Sequence, residues 1–222
     1  MPVLLTTSVV VDYVKGITEQ TSILCQLFPG IGSADEEIVK RPLPPNAKGW
    51  FAIPRWEKIA QTYPEAVQRI LDLIEKTRRG KLYNYRVGQI NDQHLRQSVR
   101  TAEMLQVIAD QQKDHDILVV PCQFGLRYRD HSVCRVLEIM DAGEFGLGAF
   151  AVGIMLLTHP RRLQCHRDLF IDCVGDEFSN VGDNRFGNAP FFDFDDEEVR
   201  FGAHFVGSAG KSFGSASGFI PQ

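Results

Sequence analysis

The sequence predicts an α/β or α+β fold: a partly parallel sheet with helices packed on it, plus a C-terminal segment rich in β-hairpin. Three observations carry this. The short run 116–121 is apolar and β-rich after Asp116, as strands covered on both faces tend to be, and 169–174 reads as another buried strand. The stretches before and between them have helical period. Beyond residue 178 Gly, Ser, Asn, Asp and Phe dominate, and the helical period disappears. The order strand, helix, helix, strand suggests a crossover unit with part of the sheet parallel. Three regions follow: 1–49, an N-terminal strand and Pro/Gly-rich linker; 50–178, the α/β core; and 179–222, a Gly/Phe/Ser-rich β segment packed on that core.

In chain order, residues 3–14 alternate Thr and Ser with Val and Leu, which fits a pleated sheet. Residues 29–49 hold Pro29, Gly30, Gly32, Pro42, Pro44, Pro45 and Gly49 and read as a loop. From Pro64 to Arg79 the set Val67, Ile70, Leu71 and Ile74 recurs at helical spacing, with Gly80 as the stop. A second helix is predicted from near Asp92 to about Lys113, with Leu95, Val99, Ala102 and Leu105 on one face. After the first buried strand comes a polar loop from Cys122 to His131, then a helical stretch around Val133–Met140. The segment 143–157 is apolar nearly all round and reads as a buried helix whose glycines allow close approach. A buried strand pair is the rival, since period does not separate the two. Phe191 to Phe194 and Val199 to Val206, with Asp195 to Glu198 between, read as a hairpin.

Composition narrows the function. The chain has 222 residues, 44% hydrophobic and 23% charged, with a formal charge of −4, so it is globular and not built overall for nucleic acid. Five irregularly spaced cysteines point to a reduced, cytoplasmic setting. No basic residue precedes Lys15, so the N-terminus does not read as a signal peptide. The longest apolar run, Phe145 to Leu157, is shorter than the roughly 20 residues a membrane span requires. Charge is uneven: nine acidic residues and Arg185 as the one base lie between Asp172 and Glu198, while Arg69 to Arg100 holds eight basic and three acidic residues. Solvated faces explain this, as does charge complementarity within the fold or between copies.

Several motifs are incomplete. Gly207–Ser212 resembles a phosphate loop but has Phe205 where the leading Gly belongs. Gly146-Leu-Gly148-Ala-Phe-Ala151 matches a dinucleotide fingerprint, but too little chain follows for a doubly wound sheet. Cys122, His131, Cys134, His159, Cys165 and His166 lack zinc-site spacing, so no metal site is predicted. Asp193–Glu198 places Glu198 where a calcium loop requires Gly.

One constellation remains. If the strands ending at Pro121 and Val174 are parallel, their exit loops share an edge, where ligands collect in such sheets. That edge supplies His131 as acid or base, Asp172 and Asp176 as catalytic or cation-holding carboxylates, and Gln123, Arg127, Arg129 and Glu177 as ligand-binding groups. A divalent cation at Asp172/Asp176 and a Cys122 nucleophile served by His131 are its extensions. The structural alternatives are that Asp130 or Ser132 caps the following helix, that Arg127 and Arg129 form an exposed face, and that Asp172 pairs with one of them.

Three functions compete. With no complete catalytic motif, the sequence leans to an interaction or structural role through self-association or a protein partner. The alternative is an intracellular binder or hydrolase of an anionic small molecule at the 122–131/172–177 edge. The third is nucleic-acid binding through the basic 69–100 helices, which overall acidity disfavours. No membrane partner is expected.

Overall fold

A computed structural model describes residues 14–221. The N-terminal strand expected over 3–14 lies almost wholly outside them. In order, the elements are α1 (Ile17–Leu27), β1 (Gly49–Pro54), α2 (Tyr63–Thr77), β2 (Leu82–Asn84), β3 (Leu95–Gln97), α3 (Val99–Gln111), β4 (Ile117–Gln123) and α4 (Val133–Ile139). Then come β5 (Glu144–Gly146), α5 (Ala149–Thr158), β6 (Phe170–Asp172), β7 (Asp176–Phe178), β8 (Asn188–Asp195), β9 (Glu198–Phe205), β10 (Phe213–Ser215) and β11 (Ser217–Phe219). The class is α/β with mixed sheets. Among the described residues no helix is long and apolar enough to cross a membrane.

The strands form two sheets. The first runs β1-β4-β11-β5 and every neighbouring pair in it is antiparallel. In the second, β8 is bordered by β9 on one side and by β6 and β7 on the other. Its parallel pairs are β10 with β6 and β2 with β9. The two strands expected to share an edge, β4 and β6, therefore belong to different sheets. The C-terminal segment is woven into both sheets, and β11 sits centrally between β4 and β5.

Local chemistry explains most boundaries. Thr62 and Glu65 form a reciprocal capping box at the start of α2. Ser98 caps α3 through the Thr101 amide, so that helix begins at Val99 rather than near Asp92; the residues before it are drawn into β3 by pairing with β7. Ser132, not Asp130, caps α4. The hairpin β8–β9 turns at Asp196 and Glu197, both at positive φ (49° and 64°), as a two-residue hairpin turn of the primed type requires.

Both readings of 143–157 contribute: its start is the strand β5, and the rest is α5, whose ten residues are all buried. Gly153 gives α5 its closest approach to α2, since a Cβ there would strike the Ile70 side chain. Around α5 one continuous core joins Phe51 and Val119 of the first sheet to Ile171, Phe192 and Phe201 of the second.

Two buried glutamines complete stretches of strand edge that no strand covers among the described residues. The Gln20 amide donates to Trp50 O (2.9 Å) and accepts from Ala52 N (3.0 Å), completing β1. Gln112 does the same for Val119 of β4, at 3.0 and 2.8 Å. Unpaired buried backbone groups are costly, so Gln20→Leu is expected to destabilise the fold by roughly 2 kcal/mol. Its urea midpoint should fall at unchanged slope; an unmoved midpoint would show that the edge is satisfied in some other way.

Candidate functional site

The residues expected at one edge divide between two sheets, and most are already engaged. Gln123 lies within β4, almost fully buried, and its side chain donates to Ser215 O and Ser217 Oγ (both 2.8 Å) and accepts from Gly125 N (2.5 Å). Arg127 turns inward to Asp141 (2.9 Å) and to the buried Glu144 (3.4 Å). Arg129 donates to Lys211 O at 3.1 Å, and His131 Nδ1 lies 2.9 Å from Arg129 O. Glu177 pairs with Arg96 at 2.6 Å. Cys122 is completely buried and burial pushes its thiol well up, which does not suit a nucleophile.

Asp176 has a structural task. Its Oδ2 accepts from Ala149 N (2.7 Å) and its Oδ1 from the Tyr63 hydroxyl (2.7 Å). It thus caps α5 from another element, in the place where a phosphate would sit if Gly146–Ala151 held a nucleotide. Both oxygens are occupied, and Asp176 faces α2 and α5 while Asp172 faces the opposite side of the second sheet. A cation shared by the two is therefore ruled out by direction. Among the described residues no group of three or more His, Cys, Asp or Glu could hold a metal.

The two loops approach β10 from opposite edges rather than meeting in one cleft. Asp130 N donates to Phe213 O at 3.1 Å on one edge, and β6 pairs with β10 on the other. Gly125, at φ +110°, sits so close that a Cβ would strike the Gly214 backbone. Of the expected residues, only Asp172 belongs to a constellation open to chemistry.

That constellation is the outer face of the second sheet. Cross-strand register sets Asp172 opposite Phe191, Phe191 opposite Gly202, and Ser215 beside Asp172. Alternation then places Phe170, Phe213, Asp193, Arg200 and His204 on the same side, with Tyr83 opposite Arg200. Ile171, Phe192, Phe201 and Val199 take the other side, in the core.

His204 Nε2 is 2.9 Å from Asp172 Oδ1, its side chain 16% exposed and the carboxylate 1%. Burial pushes the Asp172 carboxyl up, against the opposing pull of His204. Asp172 Oδ2 and Ser215 Oγ are buried and have no hydrogen-bond partner among the described residues. Arg200 grips Asp193 through Nε and Nη2 (both 2.8 Å) and reaches Asp195 through Nη1 (2.7 Å). Asp193 is the chief reason its guanidinium is held above the ordinary arginine value.

Aromatic rings tile the face. Phe213 stands 4.9 Å from both Phe170 and His204, Phe191 lies 5.6 Å from His204, and Tyr83 and Tyr85 are 4.7 Å apart. α4 covers one end of this side, where Val133 and Val136 meet Ala189 and Val174. The rest is open in part: Tyr83 and Tyr85 are each 52% exposed, and Phe170, Phe191 and Phe213 are half-buried. A shallow depression of about 390 Å³ over Gly202 is walled by Tyr85, Phe191 and Arg200.

Sequence reasoning missed His204, Ser215 and the phenylalanines of the aromatic row. The hairpin alternation would have put Arg200, Gly202 and His204 on one face, but nothing local pairs that face with Asp172. Charge complementarity is realised inside the fold, where Lys81 pairs with Glu197 and Arg96 with Glu177. Arg69, Arg78, Arg86 and Arg100 each donate to a backbone carbonyl, which fixes their side chains against the fold. Comparison with protein-family models, with characterised proteins and with solved structures finds no match to this chain.

Proposed function

We propose that the chain is an interaction protein without chemistry of its own, and that the outer face of its second sheet receives a protein partner. The row Tyr83, Tyr85, Phe191, Phe213 and Phe170 carries this reading, because exposed sheet faces are ordinarily polar. Tyrosine and arginine are also the residues that dominate binding energy at interfaces. Asp172 and His204 act here as a fixed polar pair, since Ser215 Oγ is closed to solvent and offers no nucleophile. All five cysteines are free thiols, which fits a reducing compartment such as the cytoplasm.

Charge selects the partner's chemistry. Arg200 is already neutralised by Asp193 and Asp195, and the neighbouring turn adds the exposed Asp196, while Glu197 is paired with Lys81. A partner segment bearing arginine or lysine complements that field and can stack its cations on the tyrosines. The test titrates an (Arg-Ser)5 decapeptide into the protein and follows amide shifts. The shifts should cluster on β2, β8 and β9 and weaken between 50 and 200 mM salt. Tyr83→Ser/Tyr85→Ser should loosen binding about tenfold, a loss of about 1.4 kcal/mol. Equal binding of (Glu-Ser)5, shifts elsewhere, or a dimer that dissociates in the tyrosine variant would overturn the basic partner; the last would make the occupant a second copy.

A further inference from the structure

On the far side of the molecule, a cavity of about 180 Å³ opens between α3, the end of β1 and the start of α5. Ile53, Trp56, Leu105, Leu118 and Phe150 make its walls apolar, and Arg55 is its cation. The guanidinium is held rigidly: Nε donates to His115 O (2.9 Å), and Nη2 to Ala109 O (2.8 Å) and Gln112 O (3.0 Å). All three acceptors are neutral carbonyls, so the charge is oriented but not neutralised. Among the described residues Arg55 forms no ion pair; Asp116 is close enough to feel its charge but pairs with Lys58 at 2.9 Å.

We infer that this cavity binds a small hydrophobic monocarboxylate, its carboxylate on Arg55 and its apolar body between Trp56, Leu105 and Phe150. The volume suits one ring, since a dry apolar cavity of about 150 Å³ accepts benzene. With Nε and Nη2 spent on carbonyls, Arg55 has free N–H groups only at Nη1, so the carboxylate is taken through that nitrogen, and a neutral isostere loses the charge-assisted part of the bond. Glu57 stands on the exposed lip, where its charge weakens the site without blocking it. Small residues, Ala102 and Ala109 of α3, leave the opening.

Calorimetry with benzoate, and with benzyl alcohol as the neutral control, tests the inference on the full chain. Benzoate should bind with a millimolar or better constant and benzyl alcohol about tenfold more weakly. Glu57→Gln should tighten benzoate. Ala102→Phe fills the mouth from the exposed side of α3, so it should abolish binding while leaving the thermal midpoint nearly unchanged. That variant is the cleaner probe, because Arg55→Gln also releases the end of α3. The assignment fails if benzoate gives no heat, if benzyl alcohol binds as well, or if Ala102→Phe binds benzoate as before. None of these outcomes bears on the aromatic sheet face, which lies apart from the cavity.

Discussion

Replacing Glu144 by alanine is expected to destabilise the protein by roughly 3–5 kcal/mol, the range for removing one partner of a buried charged network. Glu144 is completely buried at the start of β5. Its Oε2 accepts from the Tyr128 hydroxyl (2.7 Å) and faces Arg127 Nε at 3.4 Å, and its Oε1 accepts from Ser217 Oγ (2.5 Å). Ser217 is in turn held by Gln123. One carboxylate therefore ties the loop after β4 to β5 and to β11. Burial first, and then Glu144 itself, push the Tyr128 phenol up to about 12, so it stays a donor across the working pH range. The alanine variant leaves a hydroxyl and a phenol without their acceptor and takes away one of the two carboxylates that face Arg127. Glu144→Gln should lose less, because its carbonyl oxygen still accepts from one of the two hydroxyls. Removing the donors together with the acceptor, as Glu144→Leu/Tyr128→Phe/Ser217→Ala, should recover part of the loss. Urea denaturation measures all three; a loss below about 1 kcal/mol for the alanine variant would show that the network is dispensable.

That network shows where sequence reading stops. Gln123 and Arg127 were legible as polar residues after a buried strand, and an exposed ligand edge was the natural inference. What the sequence does not display is that β11, some ninety residues later, slots between β4 and β5 and buries the Gln123 side chain, while Arg127 turns to Asp141 and Glu144. Helices whose period and caps lie within a few residues were readable, as with α2 and its Thr62–Glu65 box. Residues 95–97 were not, since their strand state depends on β7, contributed by residues 176–178. The candidate site obeys the same division. Asp172 was found because it ends a buried strand, whereas His204 and Ser215 reach it only through cross-strand register. Alternation along one strand tells which residues share a face, but not which strands lie side by side.

The pH dependence of stability should be governed largely by Asp176. Its carboxyl is pushed up to about 7, mainly by burial, while the two hydrogen bonds from Tyr63 and Ala149 pull the other way and Glu177 adds repulsion. In the unfolded chain it titrates near its ordinary value of 3.8. Between these values the native state keeps a proton that the unfolded state has released, so stability falls as pH rises from about 4 to about 7 and levels off above. At about 1.4 kcal/mol per unit, the group accounts for a loss of roughly 4 kcal/mol across that window. Asp176→Asn removes the titration yet keeps an acceptor for Ala149 N, so the cap on α5 survives. Its stability should resemble the wild type near pH 5, exceed it at pH 8, and vary much less between. A residual slope of the same sign is expected from Asp172, which burial also pushes up, and Asp172→Asn should reduce it. Denaturation midpoints at half-unit pH steps decide the matter. Parallel curves for wild type and Asp176→Asn would mean that Asp176 is ionised in the fold, held so by the helix N-terminus and the Tyr63 hydroxyl against the cost of burial.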